Sequence, residues 1–155
     1  MDFRSLTLKI LPNRLAVCRF DADAPLPDWI DQSGFYTITR TAEELTIVCD
    51  QTLVAPAITG NRGWRCFKVE GPLDFSETGI IFSLTQPLAQ NAISVFVIST
   101  FDTDYLMVKE KDFAKASEVL TAAGNQVVTE GRGQKSEDRD QRTDLRDCGF
   151  RIVQY

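Results

Sequence analysis

The sequence predicts an α+β fold. Short runs that alternate apolar and polar residues fill the first half, the period of half-buried strands. The second half interleaves similar runs with two stretches whose apolar residues recur every three or four positions, as in a helix lying on a sheet. With 155 residues, the chain is long enough for one ordinary domain or two small ones packed together.

Taken in order, Leu6-Thr7-Leu8-Lys9-Ile10-Leu11 alternates at period two, and Pro12-Asn13-Arg14 is expected to turn it into a second strand, Leu15 to Phe20. Asp21 to Pro27 is turn chemistry, followed by a short helical stretch around Trp29 and Ile30. Phe35-Tyr36-Thr37-Ile38-Thr39 and Leu45-Thr46-Ile47-Val48 read as two further strands joined by Arg40 to Glu44. Ala55 to Gly63, carrying Pro56, Gly60 and Gly63, reads as a linker. A strand from Trp64 to Glu70 then leads to a helix from about Ser76, with Ser76 as its N-cap. Ile80, Ile81, Leu84 and Leu88 share one face of that helix, and Pro87 is expected to kink or end it. Strands Ile93 to Ser99 and Asp104 to Lys109 follow. A second helix carries Phe113, Ala116, Leu120 and Ala123 on one face and stops at Gly124, and Asn125 to Thr129 supplies a last strand.

The order βαββαβ is the ferredoxin-like arrangement, in which two helices cover one face of a four-stranded antiparallel sheet and leave the other face or an edge free for pairing. From Glu130 to Asp147 basic and acidic residues alternate with almost no apolar ones, which predicts a mobile tail or an extended arm. The closing Cys148-Gly149-Phe150-Arg151-Ile152-Val153 reads equally as an edge strand or an unstructured end. The expected division is residues 1–62, residues 63–130 and a charged tail, 131–155.

An apolar fraction of 43% and a charged fraction of 25% are those of a soluble globular protein. No run approaches the roughly 18 apolar residues that span a bilayer, and Met1-Asp2-Phe3-Arg4 lacks a secretory start, so a cytoplasmic location is expected. A net charge of -5 repels phosphate backbones and anionic lipid, and no basic stripe interrupts it, which argues against nucleic-acid and membrane partners. Histidine is absent, and Cys18, Cys49, Cys66 and Cys148 are scattered without a Cys-x-x-Cys pair. Cys18 and Cys49 sit in strand-like apolar runs, where a thiol behaves as a small hydrophobe. No metal or cofactor is expected.

The chemistry concentrates around Glu70-Gly71-Pro72-Leu73-Asp74-Phe75 and the hairpin turn near Asp102. Gly71 ends a strand, where a positive φ costs least and a ligand can come close to the backbone. Pro72 has no N–H, so free donors would come from Leu73, Asp74 and Phe75 just before the helix, where its dipole favours a carboxylate. Glu70, Asp74, Asp102 and Asp104 could balance an ammonium or guanidinium group, with hydroxyls from Ser94, Ser99, Thr100 and Thr103 and walls from Phe75 and Phe101. The plainer reading has Gly71-Pro72 as a turn, Asp74 or Ser76 as a cap, and Asp102 and Asp104 as hairpin stabilisers. Catalysis has little support: no nucleophile stands beside a base. Cys66, between Arg65 and Lys68, is the best candidate for a lowered thiol pKa.

Val69-Glu70-Gly71-Pro72-Leu73-Asp74-Phe75, Gly79-Ile80 and Ile98-Ser99-Thr100-Phe101-Asp102-Thr103-Asp104-Tyr105-Leu106-Met107-Val108-Lys109-Glu110 resemble the bacterial tandem ACT-domain proteins. These are related to the regulatory modules of aspartate kinase and of the arginine sensor CASTOR. Leu8-Lys9-Ile10-Leu11-Pro12, Phe35 to Thr41 and Leu45 to Cys49 are similar to the family's N-terminal half, so the resemblance covers about residues 5–128. It implies two ACT-like modules side by side, the first reduced in helix. It also implies a non-catalytic regulatory protein that binds a small amino acid where one module's strand-to-helix loop meets a neighbouring module. Carried onto this chain, the loop is Glu70, Gly71, Leu73, Asp74 and Phe75 with Gly79 behind it. The adjoining edge is Ile93, Ser94 and Val95, and Thr100, Phe101, Asp102, Thr103 and Asp104 close over it. A homo-oligomer, such as a dimer, would bring the modules together, and binding would signal through changed packing. The alternative is a ligand-free module that pairs with another chain through its sheet edge.

Overall fold

The computed structural model describes residues 4–129. It contains eight strands and two helices: β1 (Thr7–Ile10), β2 (Leu15–Phe20), β3 (Thr37–Arg40), β4 (Leu45–Asp50), β5 (Gly60–Val69), α1 (Ile80–Gln90), β6 (Val95–Ser99), β7 (Asp104–Lys109), α2 (Phe113–Ala122) and β8 (Gln126–Thr129). Single 3-10 turns occupy Ile30–Gln32, Gln51–Leu53 and Glu110–Asp112. The expected tail lies outside the described residues.

All eight strands belong to one sheet, and β5 is its spine. The first part of β5 pairs antiparallel with β2, Gly60 opposite Cys18 and Trp64 opposite Leu15. Its second part pairs antiparallel with β1 on one side, Phe67 opposite Ile10, and with β7 on the other, Cys66 opposite Met107. β1 and β2 are therefore collinear along β5, and Pro12-Asn13 does not reverse the chain as expected. The chain advances from Ile10 to Leu15 while β5 steps only from Phe67 to Trp64, which makes the segment a bulge. The same turn-forming residues suit either feature; only the partner strand decides.

β8 pairs parallel with β1 and β6 antiparallel with β7, so the second half of the chain contributes to a five-strand order, β6-β7-β5-β1-β8. The expected four-stranded unit has thus taken β1, from the first half, between β5 and β8. The division suggested at residues 62 and 63 passes through the interior of β5. Residues 60–63, expected as linker, are strand because β2 comes close. A Cβ on Gly60 would lie 3.3 Å from both the Cys18 Sγ and the Val17 carbonyl oxygen, so glycine there serves close approach and not a turn.

Alternation on the sheet builds the cores. Phe67, Val69, Leu106 and Val108 face Leu84 and Leu88 of α1 and Ala116 and Leu120 of α2. Cys66, Met107 and Ile98 point the other way and meet Leu15, Val48 and Trp64, so the face expected to be free is covered by the first half. Ala16, Cys18, Ile47 and Cys49 form a third cluster with Ile30 and Val54, and both cysteines there are core thiols. α1 starts at Ile80, with Gly79 at φ +81° as its N-cap, four residues later than expected. The Ser76 amide and hydroxyl both donate to Asp74 Oδ1, at 2.8 and 2.6 Å, which closes a local turn instead of a cap. Pro87 does not end the helix, which continues to Gln90 with Leu84 and Leu88 buried on either side.

Asn125 and Glu110 are among the polar ties that hold the halves together. Asn125, buried after α2, accepts from the Leu6 amide at 3.2 Å and donates to the Leu120 carbonyl at 3.0 Å. Asn125→Ala leaves the Leu6 N–H without this acceptor and should cost about 1–3 kcal/mol in denaturant unfolding. Glu110 accepts from Arg14, at 3.0 and 3.3 Å, and from Arg65 at 3.3 Å, and the Arg14 hydrogen bonds foremost hold its carboxyl below the usual carboxylate range. A folded pKa below the unfolded one means the stabilisation is present above the unfolded pKa, about 4.3, and is lost as pH falls through the folded value. Glu110→Gln should therefore lower stability at neutral pH, and its difference from the parent should close on acidification in urea titrations.

Candidate functional site

Two loops meet at one end of β5 and β7. One runs from Glu70 to Gly79, between β5 and α1; the other is the turn Thr100 to Thr103, between β6 and β7. The Leu73 amide donates to the Asp102 carbonyl at 2.8 Å, and the Thr103 hydroxyl donates to the Val69 carbonyl at 2.5 Å. Within the turn, the Thr100 amide and hydroxyl both donate to the Thr103 carbonyl at 2.8 Å. Thr103 is buried, so its hydroxyl is a strut of the fold with Val69 as its partner. The Gly71-Pro72 peptide is cis.

Gly71 is needed for a reason other than the expected one. Its φ is not positive; a Cβ there would sit 2.7 Å from the Asp102 carbonyl oxygen and 3.3 Å from the Thr103 Cβ. The group that comes close is the neighbouring turn. The expected free amides are also largely committed. Leu73 donates to Asp102, and the Asp74 amide donates to Glu77 Oε1 at 3.2 Å. The helix N-terminus, with the positive end of its dipole, lies beyond Gly79 and not at Leu73 to Phe75.

The loops present side chains instead. Phe75 and Phe101 pack edge-to-face with ring centroids 5.0 Å apart, out on the surface. Asp74 and Asp102 are exposed beside them. Hydrogen bonds from Ser76 hold the Asp74 carboxyl below the usual range, so it is a carboxylate at neutral pH. Glu70 is paired with Lys9 at 2.6 Å, and Asp104 accepts from the Ser99 hydroxyl at 2.6 Å. Ser94 and Val95 do not join this cluster within one chain. Val95 pairs with Val108, whereas Ser99, beside the turn, pairs with Asp104 at the opposite end of β6. Sequence reasoning missed the Thr103 strut and the Lys9 partner, which only strand register brings into reach.

Cys66 does not have the expected lowered pKa. Burial pushes its thiol up to about 12, because it lies in the core between the two halves. Its neighbour Arg65 points away to the helix side, 4.2 Å over the Phe113 ring. Among the described residues no group of three or more His, Cys, Asp or Glu could hold a metal ion. No helix among them is long and apolar enough to cross a membrane. The contact at Gly71 makes a direct test: Gly71→Ala forces its Cβ onto backbone, and should cost about 1–3 kcal/mol in chemical denaturation.

Residues 59–122 match the ACT domain family model, and residues 13–56 match the model of a separate N-terminal domain. The crystal structure of a protein from Agobacterium tumefaciens is 39% identical, with a TM-score of 0.78, over 85% of this chain and 98% of that one. A 58-residue segment is 41% identical to the human cytosolic arginine sensor for mTORC1 subunit 1, covering 37% of this chain and 18% of that protein's length. A structure of the aspartokinase alpha and beta subunits shares the fold at 15% identity and a TM-score of 0.56, over 77% of this chain and 98% of that one. Two loops clasped across a mixed sheet, an ACT domain across β5 to α2 and these relatives agree: the chain belongs to the tandem ACT-domain proteins.

Proposed function

We propose that this chain binds a small amino acid at the clasped loops, has no catalytic activity of its own, and signals by changing how modules pack. The observation that carries the reading is the clasp itself. The Leu73–Asp102 and Thr103–Val69 hydrogen bonds hold the helix-side loop and the β6–β7 turn as one surface. Asp74 and Asp102 stand exposed on it beside Phe75 and Phe101. The carboxylates suit the ammonium of a zwitterion or a cationic side chain, and the rings suit its carbon skeleton. Because the clasp uses the Leu73 amide and Glu77 takes the Asp74 amide, the ligand's carboxylate needs other donors. The first turn of α1 and the Ser94–Val95 edge of a neighbouring copy, in a homo-oligomer, are the candidates. Such an arrangement makes ligand affinity depend on packing, which is what a sensor needs. The proposed setting is the cytoplasm, without nucleic-acid or membrane partners.

β6 supports a second reading. Among the described residues it pairs only with β7, leaving an edge of five residues without a formal charge for strand addition from another chain. Removing residues 131–155 and measuring oligomer mass separates the two: lost assembly with no ligand response favours the edge.

A thermal-shift screen of the full chain against the common amino acids tests the first reading. A ligand at 100 times its dissociation constant adds about 2.7 kcal/mol, so one class of amino acid should raise the melting temperature selectively. Asp74→Ala should abolish that rise. No response to any amino acid, or a response unchanged in Asp74→Ala, would overturn the proposal.

A further inference from the structure

Phe75 and Phe101 are 77% and 78% exposed, the highest values among the large apolar side chains described. Exposed rings rimmed by polar groups mark interaction surfaces. The rim here is acidic. Asp74 and Asp102 adjoin the rings along the chain, and no Lys or Arg among the described residues forms an ion pair with either. Glu70 and Glu77 stand in the same loop, held by Lys9 and Arg4. A second copy docking patch to patch would set like carboxylates against each other on a chain of net charge -5. Charge complementarity therefore selects a cationic occupant, and two rings standing edge-to-face offer more apolar area than one small zwitterion covers.

We infer that the Phe75–Phe101 pair with the Asp74 and Asp102 carboxylates is a docking surface for a basic polypeptide segment, one in which arginines flank an apolar residue. A guanidinium lies flat against a ring face while its N–H fork reaches a carboxylate, a combination lysine cannot reproduce. The apolar residue between the arginines displaces water from the remaining ring surface. The inference concerns a partner chain and does not rest on amino-acid binding, although both would use Asp74 and Asp102.

Fluorescence polarisation of the full chain with a labelled, end-blocked peptide of sequence LRFRL tests it. Saturable binding is expected that weakens as salt is added and fails for the peptide with both arginines changed to glutamate. Phe101→Ala and Asp102→Asn should each weaken it by about tenfold. Both side chains are exposed, so the melting temperatures of these variants should match the parent and rule out misfolding. No saturation up to about 1 mM, equal binding of the charge-reversed peptide, or indifference to both variants would overturn the inference. So would free arginine matching the blocked peptide, which would assign the patch to a small ligand. A fall in oligomer mass on Phe101→Ala would overturn it too, in favour of a second copy. An amino-acid response without peptide binding removes this inference alone.

Discussion

Gly60 to Val69 exchange backbone hydrogen bonds with three other strands, β2, β1 and β7, and the rest of the molecule is placed relative to that ladder. The register is demanded from both sides. Phe67 and Val69 belong under the helices, and Cys66 belongs between the halves; a slip of one residue would exchange them. Both faces of β5 are committed to different cores, which makes the two halves a single packed body. Covering the second face also explains how the described residues, with two α-helices among them, bury both sides of a wide sheet.

The same register positions the loops. β5 ends at Val69 where β7 begins, so the turn before β7 lies against the chain leaving β5. Thr103 reaches the Val69 carbonyl and Asp102 receives the Leu73 amide, and Gly71 is the residue small enough to let the backbones meet. Backbone polar groups that would otherwise need water satisfy each other across the clasp. What the clasp leaves exposed at this surface is side chains, a pair of rings and two carboxylates.

Several elements were legible in the residues because their signals are local. The apolar run Tyr105 to Val108 marks β7, the three- and four-residue spacing of Phe113, Ala116 and Leu120 marks α2, and Gly124, at φ +94°, stops it. The misreadings all involve residues that serve two structures equally well. Pro12-Asn13 suits a hairpin or a bulge; Gly60 suits a linker or a crowded strand; Ser76 suits a helix cap or an Asx turn. Cys66 was misjudged because charge next to it in sequence is not charge next to it in space: alternate residues of a strand face opposite ways.

By itself the sequence determined the fold class, the helix and strand types of the second half and the two loops that matter, since hydrophobic period and turn chemistry are properties of neighbouring residues. Only the tertiary structure decided that β1 enters between β5 and β8, that the second face is buried, and that Leu73, Asp102, Val69 and Thr103 bond across the loops. Those outcomes depend on which strand lies beside which, a long-range pairing that no local pattern encodes.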